Sequence, residues 1–155
     1  DHAQNLALIQ AIPASVACRF VVVMPKAQAQ LYSHLDRVDL ITDTITDAQL
    51  LHYYQSSAGV LLSLRDCTAS NSILEALATG CPLVVNSVGA VPDYIPQSSG
   101  VPVFDSTALD ERLDYMIQLL DSPSFRADIQ AKQLALAQKS DWNVIAKATE
   151  DFILQ

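Results

Sequence analysis

The sequence predicts an α/β domain built on a doubly wound parallel sheet, followed by a helical C-terminal tail. Short apolar runs alternate with helical patterns through the first two-thirds of the chain, which is typical of parallel strands joined by helices. From Ala108 onwards the strand signals stop, and apolar residues recur only at helical spacing. With 155 residues, 50% of them hydrophobic, the chain can bury the core of one domain, predicted to span residues 1–155.

The composition argues against several classes of protein. The formal net charge of −8 is unsuited to broad nucleic-acid binding, because few basic groups are present to neutralise a phosphate backbone. No run reaches the roughly 18 apolar residues that a membrane span needs. The three cysteines form no C-x-x-C pair, which favours free thiols and a cytoplasmic location. The three histidines lack metal-ligand spacing, and we expect neither a metal nor a cofactor.

The N-terminal residues, Asp1-His2-Ala3-Gln4, carry neither an initiator Met nor the basic region of a signal peptide. We therefore expect the chain to be an excised piece of a longer protein. No low-complexity segment or internal linker divides it further.

The first half of the chain predicts two helical segments and two strands. Residues 4–12 form a helical pattern that ends near Pro13. The β-branched run Phe20–Val23 predicts a strand, and its continuous apolar character indicates burial on both faces. Pro25 opens a helical stretch that continues to Leu35, and residues 38–42 fit a further strand.

The middle of the chain predicts a helix, a strand, a helix and a strand in succession. Thr46, with Gln49 three residues later, forms the signature of a capping box before a helix that ends around residues 56–57. The following segments are a strand over residues 59–62, a polar loop over 65–70, a helix over 71–79 with Gly80 as its stop, and a strand over 82–86.

The last part of the chain predicts one short strand and then only helices. Residues 92–95 fit a helical turn, and residues 101–104 an edge strand, since Pro102 is excluded from a central one. Helical patterns follow over residues 109–120, 125–138 and 142–154, the first ended by Ser122-Pro123. Ser140 or Asp141 is expected to cap the last helix, with Trp142 as its packing anchor.

The stretch from Ser63 to Gly80 is the candidate functional site. It places a polar loop at the carboxyl end of a predicted parallel strand, which is where open α/β folds bind ligands. The helix that follows offers unpaired backbone N–H groups and a positive dipole end. This arrangement predicts a phosphate-binding site.

Four segments of the chain have distinctive sequences. They are residues 73–85 (Ile-Leu-Glu-Ala-Leu-Ala-Thr-Gly-Cys-Pro-Leu-Val-Val), 88–95, 50–60 and 140–142. In this order they resemble the Leu-Glu-Ala-Met-Ala-x-Gly-x-Pro-Val-Val run, the Gly-Gly-x-Pro-Glu segment, the Leu-x-x-x-Tyr-x-x-Ala-Asp-Val segment and the Phe-Ser-Trp of the C-terminal half of the group 1 (retaining, GT-B fold) glycosyltransferases. The resemblance implies a Rossmann-like, donor-binding domain of a hexosyltransferase-type enzyme.

The resemblance also implies partners and roles for individual residues. The donor would be a nucleotide-diphosphate sugar, and a missing N-terminal domain would hold a glycan, lipid-linked or protein acceptor. Glu75 would bind the ribose hydroxyls, and the amides near Ser70, Asn71 and Ser72 would meet the pyrophosphate. Thr68 is predicted to bind substrate in the same loop, and Gly89 to lie in a second loop beside the cleft. Residues 44–47 match the stretch near the base.

Three positions depart from the family pattern. The first of the family's paired glutamates should lie eight positions before Glu75, where this chain has Cys67. Asp66 is the nearest acid, and we assign it as the catalytic residue, shifted by one position in the loop. The family's phosphate-binding Lys falls where this chain has Ala3-Gln4-Asn5, and its strand-ending glycine is replaced by Met24-Pro25.

Purely structural interpretations remain open for the same residues. Ser72 and Glu75 also have the spacing of a capping box, so Glu75 could reach back to the helix start. Asn71 and Ser72 could be simple caps, and Asp66 an ordinary solvated loop acid. The alternative function is a non-catalytic GT-B-like domain that kept the fold for protein interaction. No G-x-G-x-x-G follows any strand, which argues against a dinucleotide enzyme.

Overall fold

The structure, a computed structural model, describes residues 2–153, apart from the side chains of His2, Trp142, Ala148, Thr149, Phe152 and Ile153. The Trp142 side chain, expected to anchor the last helix, thus lies outside the described residues. The helices are α1 (His2–Ala11), α2 (Asp47–Ser56), α3 (Asn71–Thr79), α4 (Val91–Tyr94), α5 (Leu109–Asp121), α6 (Pro123–Lys139) and α7 (Trp142–Ile153). Short 3-10 helices cover Lys26–Leu31 and Gln97–Ser99, and the strands are β1 (Phe20–Val23), β2 (Val38–Ile41), β3 (Val60–Leu62) and β4 (Leu83–Val85).

The strands form two parallel pairs. Strand β1 pairs with β2 in the register Phe20 to Val38, and β3 pairs with β4 in the register Val60 to Leu83. A single parallel bridge between Asn86 and Phe104 extends the second pair. Parallel strands joined by helices and a helical tail confirm the predicted α/β class.

Two predicted elements differ in kind from the sequence-based expectation. The strand predicted over residues 101–104 is reduced to the bridge at Phe104, because Pro102 cannot donate to a ladder. The helical stretch after Pro25 is only the 3-10 helix Lys26–Leu31. The predicted break at Ser122-Pro123 is confirmed, since the Ser122 hydroxyl accepts from the Phe125 amide at 3.2 Å and Pro123 opens α6.

The prediction that Phe20–Val23 is buried on both faces is wrong. Phe20 and Val22 pack in the core with Ile9, Met24 and Tyr32, whereas Val21 and Val23 are 43% and 48% exposed. Successive side chains of a strand point to opposite faces, and only the face that carries Phe20 and Val22 lies against this core cluster. The structure therefore leaves an apolar strand half uncovered.

The core lies on both sides of β4, whose three residues are all buried. Leu83 and Val85 belong to the cluster that includes Ile73 and Leu77 of α3. Val84, between them, belongs to the cluster of α1 and α5. This alternation places helices on both faces of the strand, as a doubly wound sheet requires.

Gln133 of α6 ties the helical tail to the start of β4. Its side-chain carbonyl oxygen accepts from the Leu83 amide at 3.1 Å, and its Nε2 donates to the Cys81 carbonyl at 2.9 Å. Because Gln133 is fully buried, the Leu83 amide and the Cys81 carbonyl form their hydrogen bonds with its side chain and not with water.

Replacing Gln133 with Ala is expected to lower the free energy of unfolding by about 2–4 kcal/mol, because two buried backbone groups lose their partners. Urea unfolding followed by circular dichroism measures the loss. Gln138→Ala, at an exposed position of the same helix, is the control and should stay within about 0.5 kcal/mol of the parent. Equal effects of the two substitutions would contradict the assigned role.

Candidate functional site

Helix α3 begins at the carboxyl end of β3, after the loop of residues 65–70. Ser70 is its N-cap, with a hydroxyl that accepts from the Ile73 amide at 3.4 Å. The amides of Asn71 and Ser72 thus lie in the first turn, where backbone donors have no partner within the helix. The helix ends at Gly80 in the left-handed conformation, and its buried residues Ile73, Ala76 and Leu77 hold it against the sheet.

The capping-box interpretation of Ser72 and Glu75 is wrong. Because Ser70 caps the helix, Glu75 lies in its second turn, beyond the position from which a side chain reaches back to the cap.

The capping box predicted for α2 is confirmed, since the Thr46 hydroxyl accepts from the Gln49 amide and the Gln49 side chain accepts from the Thr46 amide.

Tyr54 of α2 orients the Glu75 carboxylate. Its hydroxyl donates to Glu75 Oε2 at 2.9 Å, and its ring is almost fully buried. Burial raises the pKa of Tyr54 well above its usual range, Glu75 raises it further, and Ser72 opposes the shift. Tyr54 therefore stays protonated as a donor, and Glu75 retains unused lone pairs on both carboxylate oxygens.

A second loop, residues 87–90, packs against the loop of residues 65–70. The Ala90 amide donates to the Cys67 carbonyl at 2.6 Å. Gly89 adopts a positive φ of 51°, and a Cβ there would clash with the Cys67 carbonyl and lie 2.8 Å from Asp66 Oδ1. Only glycine fits this approach, which brings the predicted site residues Asp66 and Gly89 into direct contact.

Asp66 and Cys67 occupy different environments. Asp66 is exposed, and its Oδ1 accepts from the Cys67 amide at 2.8 Å. The Cys67 side chain is buried, and burial, with a smaller contribution from Asp66, raises the pKa of its thiol. Of these two residues, Asp66 alone presents an accessible acid, and Thr68 is exposed beside it in the loop.

Asn86, a residue that the sequence analysis did not single out, fastens the loop to the end of β4. It is fully buried, its Oδ1 accepts from the Leu64 amide at 2.7 Å, and its Nδ2 donates to the Leu64 carbonyl at 2.8 Å. Nδ2 also donates to the Ser106 hydroxyl at 2.9 Å. Asn86 thus bonds both backbone groups of Leu64, as a neighbouring strand would do just beyond the end of β3.

Arg112 of α5 is a buried cation that the sequence analysis also missed. Only 1% of it is exposed, and it donates to the Ser63 hydroxyl and, at 3.4 Å, to Gln4 Oε1. Within the described residues it forms no ion pair, and its Nε has no hydrogen-bond partner. Burial lowers the pKa of its guanidinium. Its position in the sequence could have predicted this burial, because helical spacing places Arg112 on the same face of α5 as the buried residues Tyr115, Met116 and Leu119.

The structure thus brings together first-turn amides, an oriented carboxylate, an accessible acid and a glycine contact at one edge of the fold. A profile of the glycosyl transferases group 1 matches residues 3–122, more than three quarters of the chain. The chain belongs to the group 1 glycosyl transferases. No curated protein sequence matches it significantly. The family match confirms the resemblance and covers every site residue named above, whereas all of α6 and α7 follow it.

Neither a metal centre nor a membrane-spanning helix is found within residues 2–153. In this part of the chain no three His, Cys, Asp or Glu side chains converge in a way that could hold a metal ion. None of the helices described there combines the length and apolarity of a membrane span.

Tyr54→Phe tests the orientation of Glu75. Removing the hydroxyl deprives a half-buried carboxylate of its donor, so the free energy of unfolding should fall by about 1–2 kcal/mol. Chemical denaturation gives the value. Tyr53→Phe, in the same helix, is the matched control with an expected change within about 0.5 kcal/mol. A Tyr54→Phe protein as stable as the control would show that the bond contributes nothing.

Thiol reactivity tests the buried state of Cys67. Burial raises the pKa of Cys81 to about 12 and that of Cys67 in the same direction, while Cys18 is partly accessible. At pH 8 a disulfide reagent should modify Cys18 rapidly in the folded protein and the other two only on unfolding. Cys18→Ser should abolish the rapid phase, and a rapid phase that survives this change would mean that the loop exposes Cys67.

Proposed function

We propose that this domain binds the nucleotide-diphosphate sugar donor of a retaining glycosyltransferase. The observation that carries the proposal is the Glu75 carboxylate, oriented by Tyr54 at 2.9 Å on a helix that begins beside Asp66 and Gly89. Membership of the group 1 glycosyl transferases supports glycosyl transfer as the reaction.

Glu75 binds the ribose of the donor in this proposal. The Tyr54 bond uses one lone pair of Oε2, which leaves Oε1 and part of Oε2 to accept from two neighbouring hydroxyls. A vicinal diol suits such a carboxylate, since both bonds are charge-assisted. Because the Tyr54 bond already restricts the Glu75 side chain, less conformational entropy is lost when the ribose binds. The base would lie toward residues 44–47.

The first-turn amides near Ser70, Asn71 and Ser72 bind the pyrophosphate. Helix N-terminal amides bind anions without Lys or Arg, so the net charge of −8 does not oppose this role. Negative charge develops on the diphosphate as the glycosidic bond breaks, and fixed dipoles there act mainly on the transition state. Arg112, at the carboxyl end of β3, has no carboxylate partner among the described residues and adds positive charge to the same edge of the sheet.

Asp66 and Thr68 face the transferred sugar. Asp66 is assigned the catalytic position, with its carboxylate fixed by the Cys67 amide and by contact with Gly89. The acid lies at position 66 instead of position 67, and Asp is one methylene shorter than Glu. Both differences change where a sugar hydroxyl must lie to reach the carboxylate. The anomeric configuration is retained in the transfer.

The acceptor belongs to a second domain in this proposal. A glycan, lipid-linked or protein acceptor is held by an N-terminal domain that precedes these residues, and the reaction takes place between the two domains in the cytoplasm. The 155-residue domain alone should bind donor but not turn over.

A non-catalytic GT-B-like domain, retained for protein interaction, is the second candidate. Two observations favour it: the buried thiol of Cys67 where the family has an acid, and Gln4, hydrogen-bonded to Arg112, in the segment where the family has its Lys. The oriented carboxylate of Glu75 argues against it, because an interaction domain has no need of that acid.

Nucleotide titration separates the two candidates. UDP, GDP and ADP are added at millimolar concentration while amide shifts are recorded by NMR, and at least one should move the signals of residues 70–75. Glu75→Ala should weaken that nucleotide by roughly tenfold or more, because charge-assisted bonds to the ribose are lost. Glu150→Ala, on the exposed surface of α7, is the control and should bind normally.

The melting temperature of each variant is measured alongside, since Glu75→Ala also removes the acceptor of Tyr54. Glu75→Gln keeps a neutral acceptor and separates lost charge from lost packing. If no nucleotide perturbs residues 70–75, donor binding is wrong and the non-catalytic candidate is favoured.

A further inference from the structure

Arg112 carries a buried positive charge that its surroundings do not neutralise. The acceptors described for its guanidinium, the Ser63 hydroxyl and the Gln4 side-chain carbonyl, are both uncharged. Within residues 2–153 it forms no ion pair, and its Nε has no hydrogen-bond partner. Because burying an unpaired ion is unfavourable, packing alone gives no reason for a cation at this position.

The guanidinium lies at the edge of the sheet where the candidate site is built. Ser63 directly follows β3, and the loop of residues 65–70 leads from there into α3. Arg112 is the fourth residue of α5, so α5 begins at this edge as well. The N-terminal ends of both helices carry positive partial charge, and the dipole of α5 opposes a cation in its first turn. Positive charge therefore accumulates at one edge, which favours an anion there.

Gln4 covers the guanidinium with a weak and replaceable bond. Its Oε1 accepts from Arg112 Nη1 at 3.4 Å, beyond the roughly 2.7–3.2 Å of a good hydrogen bond. Gln4 is partly exposed near the start of α1, so its side chain can turn toward solvent without opening the core. The Ser63 hydroxyl, which is buried, would keep Nη2 in place.

We propose that the Gln4 side chain turns toward solvent and that a phosphate oxygen of the donor's diphosphate replaces its carbonyl on Arg112. This inference rests on the proposed donor site and assigns it a further binding residue. Nη1 of the guanidinium then donates to an anion instead of a neutral amide, and charge-assisted bonds of this kind are the stronger ones. The bound phosphate also supplies the negative charge that the buried cation lacks.

The other charges of the site explain why a full positive charge is needed. Asp66 and Glu75 would both repel a diphosphate, and the first-turn amides of α3 contribute only partial charges. Arg65, in the loop itself, is a second cation, but it is exposed, so that solvent and salt screen its charge. The charge of Arg112 acts in the interior, where the dielectric constant is lower and the attraction stronger.

Inorganic pyrophosphate is the probe, because it carries the diphosphate without a base or a sugar. Calorimetry should detect its binding, and NMR should show a shift of the Gln4 side-chain amide signals. Arg112→Met should weaken pyrophosphate roughly tenfold or more, since a charge-assisted bond is lost. Any nucleotide that moves the signals of residues 70–75 should weaken equally, whereas its nucleoside should bind Arg112→Met as it binds the parent. A merely structural effect would weaken both.

The matched control is Arg126→Met, which removes the same charge. Arg126 is partly buried and donates to the Leu119 carbonyl at 3.2 Å, seven residues and about 10 Å further along α5. It should bind pyrophosphate within about twofold of the parent, because screening weakens charges at that distance.

Gln4→Glu keeps the inference testable if Arg112→Met does not fold. A carboxylate at this position pairs with the guanidinium, so the melting temperature should rise while pyrophosphate weakens roughly tenfold or more. In an Arg112→Met background the same change should weaken pyrophosphate far less. Gln10→Glu, at an exposed position of the same helix, adds the same charge and should change neither property.

Three results would overturn the inference while leaving donor binding intact. In the first, Arg112→Met binds pyrophosphate and nucleotide as tightly as the parent. In the second, Arg65→Met causes the loss instead, which would identify the loop cation as the phosphate ligand. In the third, Gln4→Glu changes neither the melting temperature nor the affinity. If no nucleotide moves the signals of residues 70–75, the proposed donor site itself is wrong, and the assignment of the anion to a donor is overturned with it.

Discussion

The hydrogen bond from the Ala90 amide to the Cys67 carbonyl, at 2.6 Å, is the contact on which the candidate site depends. It brings the loop after β4 onto the loop after β3, and the absence of a side chain at Gly89 makes the approach possible. Asn86, which follows β4, also bonds both backbone groups of Leu64, which follows β3. Backbone bonds, rather than the acid itself, therefore determine where Asp66 lies.

The site shows how an acidic protein can present a favourable environment to an anion. The amides at the start of α3 carry partial positive charge that does not appear in the net charge of −8. Arg112 is held in the interior by neutral partners, Ser63 and Gln4, so no carboxylate cancels its charge within the described residues. Burying an unpaired cation is unfavourable, and a bound anion nearby would offset part of that cost.

Local signals made the fold and the central helix predictable from sequence. The bounds of α3 and the capping box at Thr46 were correct because both depend on residues within one turn of each other. The Glu75 capping box was wrong because Ser70, Asn71 and Ser72 are all able to cap, and only packing decides which does. Arg112 and Asn86 could not be assigned, since their partners are Gln4, Ser63 and Leu64, distant in sequence. The exposure of Val21 and Val23 depends on what covers their face of β1, a property that a hydrophobic run does not encode.

Ser63 joins the start of α1 to the candidate site. Its amide donates to Asn5 Oδ1, while its hydroxyl accepts from Arg112. Gln4, the neighbour of Asn5, accepts from the same guanidinium at 3.4 Å. The loop that holds Asp66 begins three residues after β3 ends. Two adjacent residues of α1 therefore bond both the end of β3 and the buried cation, so the position of α1 also determines where this loop begins.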